Sequence, residues 1–395
     1  MKIAYLISRF PWPSETFISR EVSDLMEAGV DVEIFAFEGP PEADMRLLSP
    51  QARALAARTR YISKASAAGA LLRPGWQRAW ALNNRFTREA TLKTQPLLRL
   101  ARAASVALQA RKSGVTAIHA HWPYGTQVAQ LAHQITGLPF STSVHAHEVA
   151  HDNGHFRAAF ETLRFASFCN AAAMNHLLDQ LPSGARDKAH LIYHGVDIAA
   201  FSYSDQYPPH KPLRILSAGR VTPTKGFDRL IRACARGFAE GLDITLTILG
   251  RGPALADLRQ LALDLGFSDR LDLPGWVSHD EVRSHILNSH VFALMANDDF
   301  NDGLPNVVLE SMACGRTIIL SPLPAASEAI EHGISGFVLP AVDDPESMLD
   351  FLRQLNSDPG LVRSMGQAAR QRVVGLYDSR AHIRRLRTLF ETARA

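Results

Sequence analysis

The sequence predicts an α/β protein of two doubly wound, parallel-sheet domains, and three observations lead there. Short apolar runs alternate with amphipathic stretches from the second residue onward. A polar, proline-bearing segment, "SYSDQYPPHKP" at 202–212, interrupts that alternation, which then begins again. At 395 residues the chain also exceeds what one ordinary core serves, so two domains of roughly 150–200 residues are expected.

Taken in order, "KIAYLIS" is a buried strand that ends at a Pro-rich loop. Ser14 is placed to cap the helix "SETFISREVSDLMEAG", with Glu15 in its first turn and Gly29 at its stop. "VDVEIFAF" completes a β-α-β opening, the start of a doubly wound sheet. Residues 52–112 break the pattern: they are helix-prone and basic, with Trp76, Trp80 and Phe86 interleaved and only Glu89 opposing. "GVTAIHAH", "LPFSTSVH" and "HLIYHGVD" supply further strands. After 212 the series "LRILSAGR", "DITLTILG", "RLDLPGW", "HVFALMA" and "RTIILS" alternates with helical stretches to build the second sheet. The last helix, "SRAHIRRLRTLFETARA", has no strand after it. The expected division is 1–202 for the first domain, with a basic helical insertion at about 45–112, then a linker at 203–212, a second domain at 213–375, and a terminal helix at 376–395 free to pack back on the first domain. Two such domains are expected to leave a cleft, with ligands beyond the carboxyl ends of the strands.

Composition narrows the class. Hydrophobic residues are 46% and charged residues 21%, as in soluble globular chains, and a net charge of +3 argues for no nucleic-acid partner. Cys169, Cys234 and Cys314 are widely spaced and form no C-x-x-C, which fits a reducing cytosol. The N-terminal apolar run is too short for a signal peptide, and no window reaches the ~18–20 apolar residues of a membrane span. The expected location is cytoplasmic.

Two loops of the second domain carry chemistry. In "AGRVTPTKGFDRL", Arg220 and Lys225 flank a turn at a helix start, where two cations suit an anion with several oxygens such as a diphosphate. It is no Walker loop, because G-x-x-x-x-G-K-[ST] is absent. In "NDDFNDGLPNVVLESMACG", Asp302 and Glu310 lie seven residues apart, Pro305 suits a helix first turn and Gly315 its stop. The N–H groups of Asn306 and Val307 would then point out of the helix start, and Glu310 could accept from a ribose diol. Each feature alone is also what a basic loop or a surface helix acid looks like.

Together, "GRVTPTKG", "ILGRGP", "LPGWVS" and "DGLPNVVLESMACG" resemble, in order and spacing, the donor domain of retaining glycosyltransferase family 4. "ISRFPWPSETFISREV", "IHAHWPYGTQVAQLA", "TSVHAHE" and "HGVDIAAF" resemble the first domain of that family, nearest its exopolysaccharide, colanic-acid-type branch. The resemblance covers nearly the whole chain, is weakest at 45–112, and implies the GT-B fold of two Rossmann-like domains. It implies that Gly219, Arg220 and Lys225 hold the donor diphosphate and neutralise charge as it leaves. Glu310 would hold the ribose, Val277 would lie near the nucleobase, and Gly250 and Gly252 would turn the chain tightly near the donor. Gly303, Leu304, Pro305, Asn306 and Val307 would give backbone contacts. Asp302 stands where the E-x7-E motif has its first Glu, one methylene longer. His145 would face the sugar, and with Arg220, Lys225 and Asp302 makes the catalytic set. Ser14, Glu15, Thr16 and Glu148 would lie on the acceptor side. His194 departs from the usual "NGVD" and is read as a family variant. No cofactor and no metal are implied.

The implied reaction moves a hexose from a nucleoside-diphosphate sugar to a saccharide, usually carried on a polyprenyl diphosphate at the inner membrane face. The basic stretch 58–112, with Arg73, Trp76, Arg78, Trp80, Arg85 and Arg88, suits contact with anionic lipid, or else is an insertion with inward Trp residues and solvated arginines. Three other readings compete: a nucleotide-sugar epimerase or hydrolase on the same fold, an inactive family member acting as a binding partner, and a zinc peptidase. The last rests on His147-Glu148-Val149-Ala150-His151, which spells H-E-x-x-H. Its longer form fails, because Arg157 stands where a third His is needed and His155 comes two positions early. Histidines 119, 121, 147, 151 and 155 are therefore read as cleft-lining or structural, and Asp298-Asp299 as no metal loop.

Overall fold

The computed structural model describes residues 1–13, 15–89, 95–150, 155–297 and 303–392. The chain divides into two units, Met1–His194 with Arg380–Ala395, and Gly195–Ser379.

In the first unit the strands are β1 (Lys2–Arg9), β2 (Asp31–Glu38), β3 (Arg60–Tyr61), β4 (Ala117–His121), β5 (Phe140–Val144), β6 (Ala166–Phe168) and β7 (Ala189–Leu191). They form one parallel sheet in the order β3-β2-β1-β4-β5-β6-β7. The period of two along β1 sorts its side chains between two cores. Ala4 and Leu6 pack with residues of the helices Pro96–Lys112 and Pro123–Thr136. Ile3, Tyr5 and Ile7 pack with Ile18, Val22 and Leu25 of the helix Thr16–Glu27, and with Ile383, Leu386 and Phe390 of the terminal helix Ser379–Thr392. The first helix starts later than expected: Glu15 occupies the cap position without a side-chain cap bond, and Ser14 lies outside the described residues.

The second unit holds β8 (Leu213–Ala218), β9 (Ile244–Leu249), β10 (Leu271–Gly275), β11 (Val291–Leu294), β12 (Thr317–Leu320) and β13 (Gly336–Val338). The order is β10-β9-β8-β11-β12-β13, again all parallel. Strand order reverses beside β8 and β11, the position where open α/β sheets take ligands.

Residues 203–212 are no free linker. The Tyr207 hydroxyl donates to the Gly315 carbonyl and its ring lies 4.2 Å from the Arg316 guanidinium carbon. Arg316, fully buried, donates to the carbonyls of Ser204 and Gln206, and His290 Nε2 donates to Pro208 O at 3.2 Å. Val196 bridges to Asp378, so the second unit begins at 195 rather than 213. The short polar run reads as a linker in sequence because its backbone carbonyls, not its side chains, make most of these bonds.

The basic insertion also differs from a solvated face. Arg99 is fully buried, donating to Asn83 Oδ1 at 2.9 Å, Asn83 O at 3.0 Å, Thr87 Oγ1 at 3.0 Å and Gln127 Oε1 at 3.3 Å. Arg102 is buried over the Phe37 ring. Among the described residues no helix is long and apolar enough to cross a membrane.

Candidate active site

The second unit builds its site from main chain. After β8 the chain passes Gly219 and Arg220, makes a 3-10 turn at Pro223–Lys225 and enters the helix Phe227–Ala239. After β11 it reaches Asn297, whose N–H donates to Thr224 O at 2.9 Å. Arg229 secures the junction, donating to Met295 O at 2.6 Å and Asn297 Oδ1 at 2.9 Å. Two segments far apart in sequence are thereby laced side by side, which places the Lys225 turn beside Asn297. Sequence reading missed Arg229; its signal was an arginine in the first turn of the helix that the cation loop enters.

The loop after β9 lies against the same turn. Gly219 N donates to Leu249 O at 2.9 Å, and Val221 N to Arg251 O at 2.9 Å. A Cβ on Gly250 would collide with the Gly219 carbonyl, and one on Gly252 would come within 2.6 Å of the Val221 carbonyl carbon. These glycines serve close packing of neighbouring loops.

Lys225 is 7% exposed and Arg220 is exposed. The helix Asn306–Ala313 has Pro305 at its cap position, one residue earlier than the first-turn place expected, and ends before Gly315. Residues 303–307 are half-buried. Glu310 is buried, and His279 Nε2 lies 3.1 Å from its Oε1. That partner was not expected: His279 opens the helix that follows Val277 and the capping residue Ser278. Val277 is half-buried beside the exposed Trp276. Asp302, Asp298 and Asp299 lie outside the described residues.

The first unit builds a different site from side chains. His121 is the last residue of β4, and His145 immediately follows β5. Tyr5 Oη donates to Glu21 Oε1 at 2.9 Å, and His121 Nε2 lies 3.1 Å from the same oxygen. His121 Nδ1 is 3.2 Å from His145 Nε2, and His145 Nδ1 is 3.2 Å from His194 Nε2. Successive rings in this row are inclined by 26° and 27°, with centroids 5.4 and 5.0 Å apart. His119 is occupied separately, by Ser141 and Ser143.

Burial lowers the pKa of His145 well below the ordinary histidine range, reinforced by His194, His121 and His119 nearby. Burial likewise brings His194 to about 4 and His119 to about 3. Burial would raise Glu21, but its hydrogen bond from His121 and the neighbouring histidines outweigh that and bring it to about 2.

Two first-unit residues of the expected site are placed as follows. His145 is 5% exposed and stands inside a histidine row with both ring nitrogens engaged. Glu148, also buried, uses Oε2 to accept from the His145 N–H at 3.0 Å, a local turn contact. Glu15 and Thr16 are half-buried, and burial raises the Glu15 carboxyl against the pull of Arg9, His121 and Trp122. His151 lies outside the described residues, so the H-E-x-x-H constellation is not placed.

Residues 203–372, nearly all of the second unit, match the family of glycosyl transferases group 1. The chain therefore carries a group 1 glycosyltransferase domain and is a glycosyltransferase, and its two parallel-sheet units have the GT-B architecture. More particularly, it is similar to the colanic-acid biosynthesis protein WcaL of Salmonella typhimurium, at 25% identity over 99% of this chain and 100% of that one. It is similar to the same degree to the amylovoran biosynthesis glycosyltransferase AmsK of Erwinia amylovora, over 99% of each. Among solved structures, Anabaena HepE in complex with UDP superposes with a TM-score of 0.76 at 16% identity, over 99% of this chain and 100% of that one.

Proposed function

We propose that the protein moves a hexose from a nucleoside-diphosphate sugar to a saccharide acceptor in exopolysaccharide biosynthesis, with retention of anomeric configuration. The observation that carries this reading is the lacing of the β8 and β11 loops by Asn297 and Arg229, which sets the Lys225 turn beside Asn297. A diphosphate there would meet Arg220, Lys225 and the N–H groups of Asn306 and Val307, with Gly219, Gly303, Leu304 and Pro305 leaving room for it.

In the reaction the bond from the anomeric carbon to the diphosphate oxygen breaks and a bond to the acceptor oxygen forms on the same face. The acceptor proton passes to the leaving diphosphate, so no protein base is required. Arg220 and Lys225 stabilise the charge on that departing group, and Glu310, oriented by His279, holds the ribose. No resident metal is assigned to this step. In this reading Asp302 contacts the sugar.

Relatives named for colanic acid and amylovoran biosynthesis support an exopolysaccharide pathway; a lipid-linked acceptor is part of the same proposal. HepE, solved with UDP, supports a uridine donor among the candidates. The test is turnover of Arg220→Ala and Lys225→Ala, each expected to fall by ~10²–10³. Unchanged turnover in both would overturn the assignment. A thermal-shift panel of UDP-, GDP- and ADP-sugars identifies the base, since the bound donor raises the melting point by mass action.

A further inference from the structure

The carboxyl ends of β5, β6 and β7, three adjacent parallel strands, bring together His145, Cys169 and His194. Cys169 follows β6 as His145 follows β5, and forms no disulfide. Their ligating atoms all lie within 4.8 Å of one another. We infer that these three side chains form a binding site for a zinc-class divalent ion, built wholly from residues of the first unit.

Four observations carry it. Two imidazole nitrogens and a sulfur are the donor set that borderline-soft ions take. The 3.2 Å between His145 Nδ1 and His194 Nε2 is close to the roughly 3.3 Å that separates two nitrogens on a tetrahedral zinc with ordinary Zn–N bonds.

The third observation is the direction of the hydrogen bonds. A Glu21 carboxylate can only accept, so His121 carries its proton on Nε2 and offers a lone pair on Nδ1. His145 must then donate from Nε2, which leaves its Nδ1 lone pair facing His194 and Cys169. A ligating histidine whose far N–H is held by an acceptor that ends in a carboxylate is the outer-shell arrangement metal sites use, and it raises the basicity of the ligating nitrogen.

The fourth concerns the sulfur. Asn170 Nδ2 donates to Cys169 Sγ at 3.5 Å while its Oδ1 caps the next helix through Ala173 N, so the donor is fixed in place and favours a thiolate.

The other candidate group, Glu21, His119 and His121, serves as this outer support, because both nitrogens of His119 are occupied by serines. On binding, neutral His194 shifts its ring proton from Nε2 to Nδ1, Cys169 releases its thiol proton to solvent, and three protein ligands leave a fourth position for water. The ion ties the ends of three strands together.

The test uses the untagged full-length chain, stripped with a chelator and titrated with Co²⁺. One equivalent is expected to bind, with a thiolate-to-cobalt charge-transfer band and the visible bands of a four-coordinate ion, and Zn²⁺ should displace it and raise the melting point. Cys169→Ser should abolish the charge-transfer band, and His194→Asn should weaken binding by at least about tenfold. Far-ultraviolet circular dichroism checks each fold. If His194→Asn fails to fold, Cys169→Ser, a one-atom change, carries the test. The inference is overturned if the folded parent shows no charge-transfer band at tenfold excess Co²⁺, or if Cys169→Ser keeps the band and the Zn²⁺ effect on melting. Metal binding in Arg220→Ala and Lys225→Ala should match the parent, so this outcome and that of the donor assignment are read separately.

Discussion

At the carboxyl end of the second-unit sheet the chain turns on glycines and carries Arg220 and Lys225 between β8 and the helix Phe227–Ala239, whereas at the same end of the first-unit sheet a half-buried carboxylate meets a row of histidines. Both follow the rule that open parallel sheets place chemistry beyond their strand ends. They differ in what carries it. The second unit uses backbone geometry, where a side chain added in the wrong place is the main hazard. The first uses side-chain nitrogens whose hydrogen bonds set one another's direction, where a side chain removed is the hazard.

The largest expected effect breaks the comparison from the second-unit side. Gly252→Ala puts a Cβ 2.6 Å from one Val221 backbone atom and 2.8 Å from another, neither of which belongs to a flexible side chain. The loops after β8 and β9 must separate, at a cost of about 3 kcal/mol, and Val221 N–H loses its bond to Arg251 O. Donor binding should vanish in a thermal-shift assay. His121→Ala should do the opposite, losing about 1–3 kcal/mol because Glu21 and His145 each lose a buried partner, yet keeping donor binding. Equal loss of donor binding in both variants would show that the two strand-end sites do not work separately.

The same contrast explains what the sequence disclosed. Lys225 sits in one short turn, and Pro305 and Glu310 on one short helix, where a cation, a helix start and an acid at fixed spacing can be read as a phosphate and ribose site. The histidine row joins Glu21 to His121 across 100 positions and His121 to His145 across 24. His145 and His194 are 49 apart with Cys169 near the midpoint, so the row recurs about once per strand-helix repeat. That repeat is the signal the sequence carries, and the compact H-E-x-x-H that overlaps it obscures it. Arg99 was illegible for another reason: with no acid nearby in sequence it looked solvated, but its partners are two neutral amides, a hydroxyl and a main-chain carbonyl. Strands of two or three residues, such as β3, β6 and β13, are too brief to show any period.

A smaller effect sharpens the comparison through pH. His290, in the second unit, is buried, and burial lowers its pKa to about 4 despite the bond to Pro208 O. Its Nδ1 accepts the Arg214 N–H at 2.9 Å, which only the neutral ring can do. Since the unfolded value is near 6.5, the unfolded chain takes up the proton first. The contribution is full above about 6.5, is lost as pH falls toward about 4, and is constant below that. His290→Asn keeps an acceptor for Arg214 and does not titrate, so its melting point should fall less than the parent's between pH 7 and pH 4.5. Parallel pH profiles would remove His290 from the account of acid sensitivity.

The smallest effect concerns the insertion of the first unit. Trp76 does not face outward freely: its indole N–H donates to Leu71 O at 3.0 Å and its ring packs against the core, while Arg85 pairs with Glu161. Around that half-buried ring Leu72, Arg73, Arg78 and Trp80 stay exposed. At roughly 1 kcal/mol per cation near an anionic surface, Arg73→Glu with Arg78→Glu should reduce flotation with phosphatidylserine-containing liposomes by about 30-fold or more, without altering turnover on a soluble acceptor. Unchanged flotation would move any membrane contact away from this insertion. Lost turnover on the soluble acceptor would mean that the two arginines support the first-unit fold, as Arg99 does from the inside, and the exposed surface would then have no lipid role to explain.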